Sequence, residues 1–230
     1  MKLAVIPARG GSKRIPRKNI HAFAGKPIIA YSIAAAQRSG LFDAVIVSTD
    51  DEEIAQVARD FGATTPFLRP PELSDDHTGT TAVVAHAVEQ VQRDGRAVDA
   101  ACCIYATAPL IAVDDLRAGH DRLAGGDLDY VFSAARYAFP PQRALLVGDD
   151  GRVAPMFPEH SETRSQDLPP VYHDAAQFYW GSGVAWTGQR AIYGPRSGIV
   201  ELPHWRVQDI DTPDDWTAAE FIFSTLEGSQ

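Results

Sequence analysis

The chain has two cysteines, and they are neighbours, Cys102 and Cys103, inside an apolar run. A bridge between adjacent cysteines would be strained. The pair therefore reads as buried strand residues in a reducing compartment, and with seven scattered histidines it offers no zinc-ligand spacing. No apolar stretch approaches the roughly 20 residues that a membrane span requires. The N-terminus enters a strand pattern directly, without a signal-peptide core. A cytoplasmic protein without a membrane partner is expected. Repeats and low-complexity tracts are missing, as are a G-x-S-x-G elbow and any Ser-His-Asp arrangement. Negative charge is missing in one place only. The whole chain carries 30 Asp and Glu against 21 Lys and Arg, yet its first 42 residues hold eight of the bases and none of the acids. A net charge of −9 disfavours nucleic acid as a partner. It leaves one segment built for anions.

That segment runs from Ile6 to Asn19, directly after the apolar run Leu3-Ala4-Val5-Ile6. A strand that empties into a glycine-containing basic loop makes an anion site. Gly10 and Gly11 lack Cβ, so backbone N–H groups can approach a ligand closely. Ser12 adds a hydroxyl, and Arg9, Lys13, Arg14 and Lys18 add charge suited to a polyphosphate. The alternative is an ordinary turn with solvated lysines.

Short apolar runs alternate with helical patterns, as in a parallel α/β sheet with helices on both faces. Strands are expected at 2–6, 44–48, 64–68, 100–105, 130–134, 184–186 and 199–202. Helices are expected at 27–39, 51–61, 78–93, 113–124 and 213–226, with Thr212 capping the last. The 230 residues suit one large domain. Residues 136–180 change character, with Phe139-Pro140-Pro141, Phe157-Pro158 and Leu168-Pro169-Pro170. This stretch is too long for a routine loop and reads as a projecting arm for substrate closure and dimerisation.

Three further stretches carry candidate chemistry. In Asp209-Ile210-Asp211 the carboxylates sit at i and i+2 on an extended segment and share a side, with Ile210 turned into packing. Two such acids repel unless a cation lies between them, and Mg²⁺ is the usual partner of phosphates. The competing reading has Asp211 helping to cap the following helix and Asp209 solvated. Arg69-Pro70 and the Asp75–Thr81 stretch could present a guanidinium and hydroxyls to a nucleotide, or simply cap a helix. Tyr105-Ala106-Thr107 closes a central strand, where open α/β sheets place ligands. His173-Asp174 suggests substrate shaping before acid–base chemistry, because adjacent residues rarely orient each other.

Taken together, the motif Ile6-Pro7-Ala8-Arg9-x-x-Ser12-Lys13-x-x-Pro16-x-Lys18-Asn19 resembles the signature of the sialic-acid-type cytidylyltransferases, the CMP-nonulosonate synthetases. The resemblance continues at Val47-Ser48-Thr49-Asp50, Leu68-Arg69-Pro70, Thr107-x-Pro109-Leu110 and Asp209-Ile210-Asp211-Thr212, and so covers nearly the whole chain in order. Lys18-Asn19 resembles the acylneuraminate branch more than the Kdo branch. Two segments depart from that branch. Tyr105-Ala106 stands where a Gln-Pro pair is usual, and Tyr172–Gly181 replaces a late Arg-Pro-Asn-Gly-type segment. Both look like the pseudaminic acid cytidylyltransferases.

The resemblance implies a nucleotide-diphospho-sugar transferase-like α/β fold and transfer of CMP from CTP to the anomeric hydroxyl of a nonulosonic acid, pseudaminic acid first. It implies a nucleotide site made of Ala8, Arg9, Gly10, Gly11, Ser12, Lys13, Lys18 and Asn19, bordered by Arg69, Asp76, Thr78 and Thr80. Arg9, Lys13, Lys18 and Asp211 would act in catalysis, and Asp209 and Asp211 would hold Mg²⁺. The proton acceptor for the sugar hydroxyl stays open between a metal-bound water and Asp211. Tyr105, Thr107, His173, Gln177 and Tyr179 would face the sugar. Arg143 and Arg164, on an arm swapped across a homodimer, would reach the sugar carboxylate. The rivals are an enzyme for another acidic sugar (N-acetylneuraminic, legionaminic or Kdo) or for a sugar 1-phosphate, and a non-catalytic nucleotide-binding module. Retention of both Asp209 and Asp211 argues against the last.

Overall fold

The structure is a computed structural model and describes residues 1–227. Strand β1 (Lys2–Pro7) is buried along both faces from Leu3 to Ile6, as a central parallel strand should be. The basic loop follows, then a short antiparallel pair, β2 (Ala22–Phe23) and β3 (Lys26–Pro27). Pro27 pairs with Ala22, so helix α1 (Ile29–Ser39) starts two residues after the expected boundary. It ends on Gly40, whose φ of 66° supplies the left-handed C-cap. Strand β4 (Ala44–Ser48) leads to α2 (Glu52–Asp60), capped by the Asp51 carboxylate accepting from Ile54 N–H at 3.0 Å.

The expected strand at 64–68 does not form. Only Thr64 makes a bridge, to Ile46, and Pro66 has no N–H to continue a ladder. Helix α3 (Thr80–Arg93), strand β5 (Ala100–Ile104), helix α4 (Val113–Ala124) and strand β6 (Tyr130–Arg136) come next. The arm carries one antiparallel hairpin, β7 (Leu145–Val147) with β8 (Val153–Pro155).

Two differences from the sequence reading matter. Tyr172–Ser182 is not arm but the longest strand, β9, inserted antiparallel between β5 and β6. Phe178 and Trp180 enter the core on one side of the sheet and Tyr179 enters the core on the other. The second difference is that Val184-Ala185-Trp186 is helical. Ser182 Oγ accepts the Ala185 N–H at 3.1 Å and starts α5 (Gly183–Thr187). Strand β10 (Ser197–Leu202) and helix α6 (Pro213–Glu227) complete the chain. Thr212 and Asp215 cap α6 reciprocally: Asp215 N–H donates to Thr212 Oγ1, and Thr212 N–H donates to the Asp215 carboxylate.

The sheet order is β10-β6-β9-β5-β1-β4, with five parallel strands and β9 reversed. One face packs on α1, α2 and α4 through Ile29, Ile33, Ile54 and Leu116, and the other on α3 and α5 through Val84, Val88 and Trp186. A third apolar cluster lies beyond the strand ends. Ile15 of the basic loop packs there with Phe23, Ile28, Ile210, Trp216 and Ala219.

Candidate active site

The parallel strands β1, β4 and β5 all deliver their following loops to one edge of the sheet. There the loops after β1 and β5, with residues 69–83 and Asp211, enclose a cleft of about 310 Å³, at the place where open α/β folds bind ligands. The residues expected at the nucleotide and catalytic positions that line it are Arg9, Ser12, Lys13, Lys18, Asn19, Arg69, Asp76, Thr78, Thr80 and Asp211. Tyr105 and Thr107 from the end of β5 line it too. So does Arg14, which the basic-loop reading included among the polyphosphate-directed charges.

The loop is fixed from several sides. Asn19 Nδ2 donates to Arg9 O at 2.9 Å and ties the two ends of the loop together. Gly10 N–H donates to Asp50 Oδ1 at 3.0 Å. A Cβ on Gly10 would stand 2.7 Å from Asp51 Oδ2, so this glycine serves close packing on the α2 cap. Gly11 has open space around it. The Ala8 N–H is taken by Ser48 O at 2.9 Å. Not every base in the loop is available to a ligand. Arg17, at the left-handed φ of 55°, forms a fork with Asp51 at 2.5 and 3.0 Å and also bonds Glu53. The Arg17 hydrogen bond holds the Asp51 carboxyl below the usual range even though burial opposes it.

Two acids face the remaining cations. Asp76 accepts from Lys13 Nζ and Arg9 Nη1, both at 2.5 Å. Lys13 first and Arg9 second hold its pKa down at about 2. Asp211 lies 3.3 Å from Lys18 Nζ and 3.0 Å from Arg14 Nη1, while Lys18 also donates to Ile210 O at 2.5 Å. The contact of Ile15 with Ile210 brings this segment to the loop across nearly the whole chain. Asp209 is exposed and lies outside the cleft's lining, though neighbouring protein shields part of its carboxyl. Burial there, followed by the charge of Asp211, pushes its pKa up. Arg69 is buried, and desolvation pushes its pKa down. Asp50, 3.8 Å away, opposes that shift.

The other expected sugar residues are arranged differently. Gln177 is buried with Nε2 donating to Arg206 O at 3.0 Å, and its Oε1 has no partner among the described residues. Tyr179 is buried with its ring 5.4 Å from that of Tyr105. His173 packs edge-on to Tyr137 of the arm at 4.9 Å. Arg143 bonds Ser165 Oγ at 3.0 Å, and Arg164 pairs with Asp167 at 3.3 Å. Both arginines stay on the exposed arm, outside the chain's own cleft. Sequence reasoning missed the structural parts played by Asp50 and Asp51, while the cap it allowed for the Asp75–Thr81 stretch is the part that Asp75 takes. Asp75 caps the approach to α3 by accepting from the N–H groups of His77 and Thr78. Helix-capping spacing was the only signal for it.

A basic loop after β1, the acids Asp76 and Asp211 opposite it and a mostly parallel sheet define a nucleotide-handling α/β protein. The comparisons with known proteins make this specific. The model of the Cytidylyltransferase family matches residues 3–201, and the chain belongs to that family. It is 45% identical to the pseudaminic acid cytidylyltransferase of Campylobacter jejuni, over 96% of this chain and 95% of that one. It is 35% identical to N-acylneuraminate cytidylyltransferase A of Danio rerio, over 94% of this chain and 49% of that one. Among solved structures, CMP:2-keto-3-deoxy-manno-octonic acid synthetase complexed with CTP shares the fold, with a TM-score of 0.71 at 17% identity, covering 100% of this chain and 99% of that one. The expected fold is therefore the observed one.

Proposed function

We propose that this chain transfers CMP from CTP to the anomeric hydroxyl of pseudaminic acid and releases pyrophosphate. The observation that carries this reading is 45% identity over 96% of this chain with a pseudaminic acid cytidylyltransferase, joined to a cleft whose cations, Arg69 apart, come from one loop. The sugar hydroxyl loses its proton to Asp211 or to water, its oxygen forms a bond to the α-phosphorus, the bond from that phosphorus to its bridging oxygen breaks, and pyrophosphate leaves. Catalysis of such transfers rests on positioning and on neutralising charge at the leaving oxygens. Arg9, Lys13 and Lys18 supply fixed positive charge, and Ser12 supplies a hydroxyl donor. Arg69, Thr78 and Thr80 border the nucleoside side.

Asp209 and Asp211 fit a divalent cation. They are hard oxygen donors close enough for the charge of Asp211 to raise the pKa of Asp209. Among the described residues no third acid, His or Cys completes an all-protein cage, which suits an ion that keeps waters and takes phosphate oxygens. When bound, Mg²⁺ would supply charge neutralisation for the phosphates. We place the enzyme in the cytoplasm, where CTP is made and where the free thiols of Cys102 and Cys103 stay reduced.

The arm points to a homodimer. Phe139, Leu145, Leu146, Val147, Val153 and Met156 are all exposed on it, and a second copy is their natural cover. Arg143 and Arg164 would then serve the neighbouring site, where a planar guanidinium can grip a sugar carboxylate through two bonds. Incubation of the protein with CTP, Mg²⁺ and pseudaminic acid should yield one pyrophosphate per CMP-linked acid, seen by phosphorus NMR. Consumption of a sugar 1-phosphate in place of the free acid would overturn the proposal.

A further inference from the structure

The start of β9 carries a polar cluster that the CTP-directed residues do not use. In the pairing of β9 with β6, Phe132 faces Tyr179 and Ala134 faces Asp174, so residues 175–178 stand against the single Ser133. This wide bulge is built rather than frayed. Ser133 Oγ accepts the N–H groups of Gln177 and Phe178 at 3.2 and 3.1 Å, and Ala176 takes the left-handed φ of 51°. Bulges of this kind re-aim side chains beside active sites.

Here the bulge folds Asp174 back toward its own strand. Its Oδ2 accepts the hydroxyls of Tyr179 and, at 2.7 Å, Tyr193, and its Oδ1 accepts the Ala176 N–H at 2.9 Å. The Tyr179 ring touches Tyr105, which lines the nucleotide cleft and shares a 3.2 Å hydrogen bond with Thr80. The cluster therefore adjoins the cleft on its β9 side, and Tyr193 is 66% exposed. A phenol has one proton. Tyr179 and Tyr193 both donate theirs to Asp174, so the cluster shows a ligand only lone pairs. Burial, with Asp174 second among the causes for Tyr193, pushes both phenols up in pKa and keeps those protons in place. A wall of acceptors binds hydroxyl and amide N–H groups and turns anions away.

We propose that Asp174, braced by Tyr179 and Tyr193, determines acceptor specificity by accepting a hydrogen bond from a hydroxyl or acylamino N–H of the sugar acid. This rests on the function proposed above. The test is steady-state kinetics of Asp174→Asn, which keeps the shape but brings an NH₂ donor into the wall. The KM for the sugar should rise roughly 10- to 100-fold, as expected for a lost charge-assisted hydrogen bond. The KM for CTP, and CTP affinity by calorimetry, should stay within about twofold, well inside the effect of one hydrogen bond. If Asp174→Asn does not fold, Tyr193→Phe, on an exposed ring, should still raise the sugar KM by roughly 3- to 10-fold. An unchanged sugar KM, or equal losses for both substrates, overturns the inference while leaving the cytidylyltransferase reading intact. Wild-type inactivity with every nonulosonic acid overturns both.

Discussion

Asp211 lies between Arg14 and Lys18 at 3.0 and 3.3 Å, and Asp76 lies between Arg9 and Lys13. All of these groups are partly exposed, and ion pairs of that kind contribute at most about 1 kcal/mol. In the proposed reaction a triphosphate would therefore replace these pairs at little cost. Asp211→Asn is expected to cut kcat by two to four orders of magnitude, about 3–5 kcal/mol of transition-state stabilisation, with little effect on folding. Near-normal turnover at limiting Mg²⁺ in both Asp209→Asn and Asp211→Asn would remove the metal assignment. Lys18→Ala should weaken CTP binding by at least about tenfold, the effect of one charged hydrogen bond. Lys26→Ala, on the exposed β3 outside the loop, should leave it unchanged. Equal affinities by calorimetry, with turnover intact, would refute the role of Lys18. The anion loop was legible because charge segregation needs no structure to see. The division of labour within it was not, since Arg17 differs from Arg9 only in facing Asp51 and Glu53, a contact the fold creates.

At the scale of elements, β9 builds the polar cluster that adjoins Tyr105. Its residues Tyr172–Ser182 follow a Pro-rich stretch and mix aromatics with His, Asp, Gln and Gly, so no period of two announces a strand. Of the polar members, Gln177 lies in the bulge and His173 and Asp174 directly before it, an arrangement that only pairing with β6 makes sense of. By contrast β1, β4 and β5 are apolar runs buried on both sides and could be read directly. Helix α5 hid behind three apolar residues, and its one sign was the capping Ser182. The placement of β9 has a direct test in Gly181→Ala. A Cβ there would meet Trp186 Nε1 and Tyr130 Cδ1 at 2.6 Å, and both rings are fully buried. Overpacking of this kind should cost about 1–3 kcal/mol in urea denaturation and leave the KM for CTP unchanged. Full stability of the variant would contradict the position of β9 in the sheet.

The whole molecule separates its tasks along the chain. Positive charge gathers in the N-terminal loop, the acids that face it come from later segments, and the contact of Ile15 with Ile210 joins the two. That contact could be anticipated only in part, because a sequence shows that Ile210 packs but not against what. The arm is the remaining piece, with Phe139 86% exposed and Arg164 outside its own cleft's lining. In a dimer with shared sites, mixing inactive Arg164→Ala with inactive Asp211→Asn and letting subunits exchange should restore part of the activity. Heterodimers would hold one site with both defects and one with neither. No recovery despite proven exchange, or an active monomer in sedimentation, would contradict the shared site. The central claim is that this family member acts on a nonulosonic acid and that the segments around Tyr105 and Asp174 select pseudaminic acid. The most direct measurement is kcat/KM for pyrophosphate release from CTP with pseudaminic acid and with N-acetylneuraminic acid under identical conditions. The account predicts a preference for pseudaminic acid of roughly 100-fold or more, the discrimination available to a site that hydrogen-bonds its substrate. Equal values, or a preference for N-acetylneuraminic acid, would contradict it.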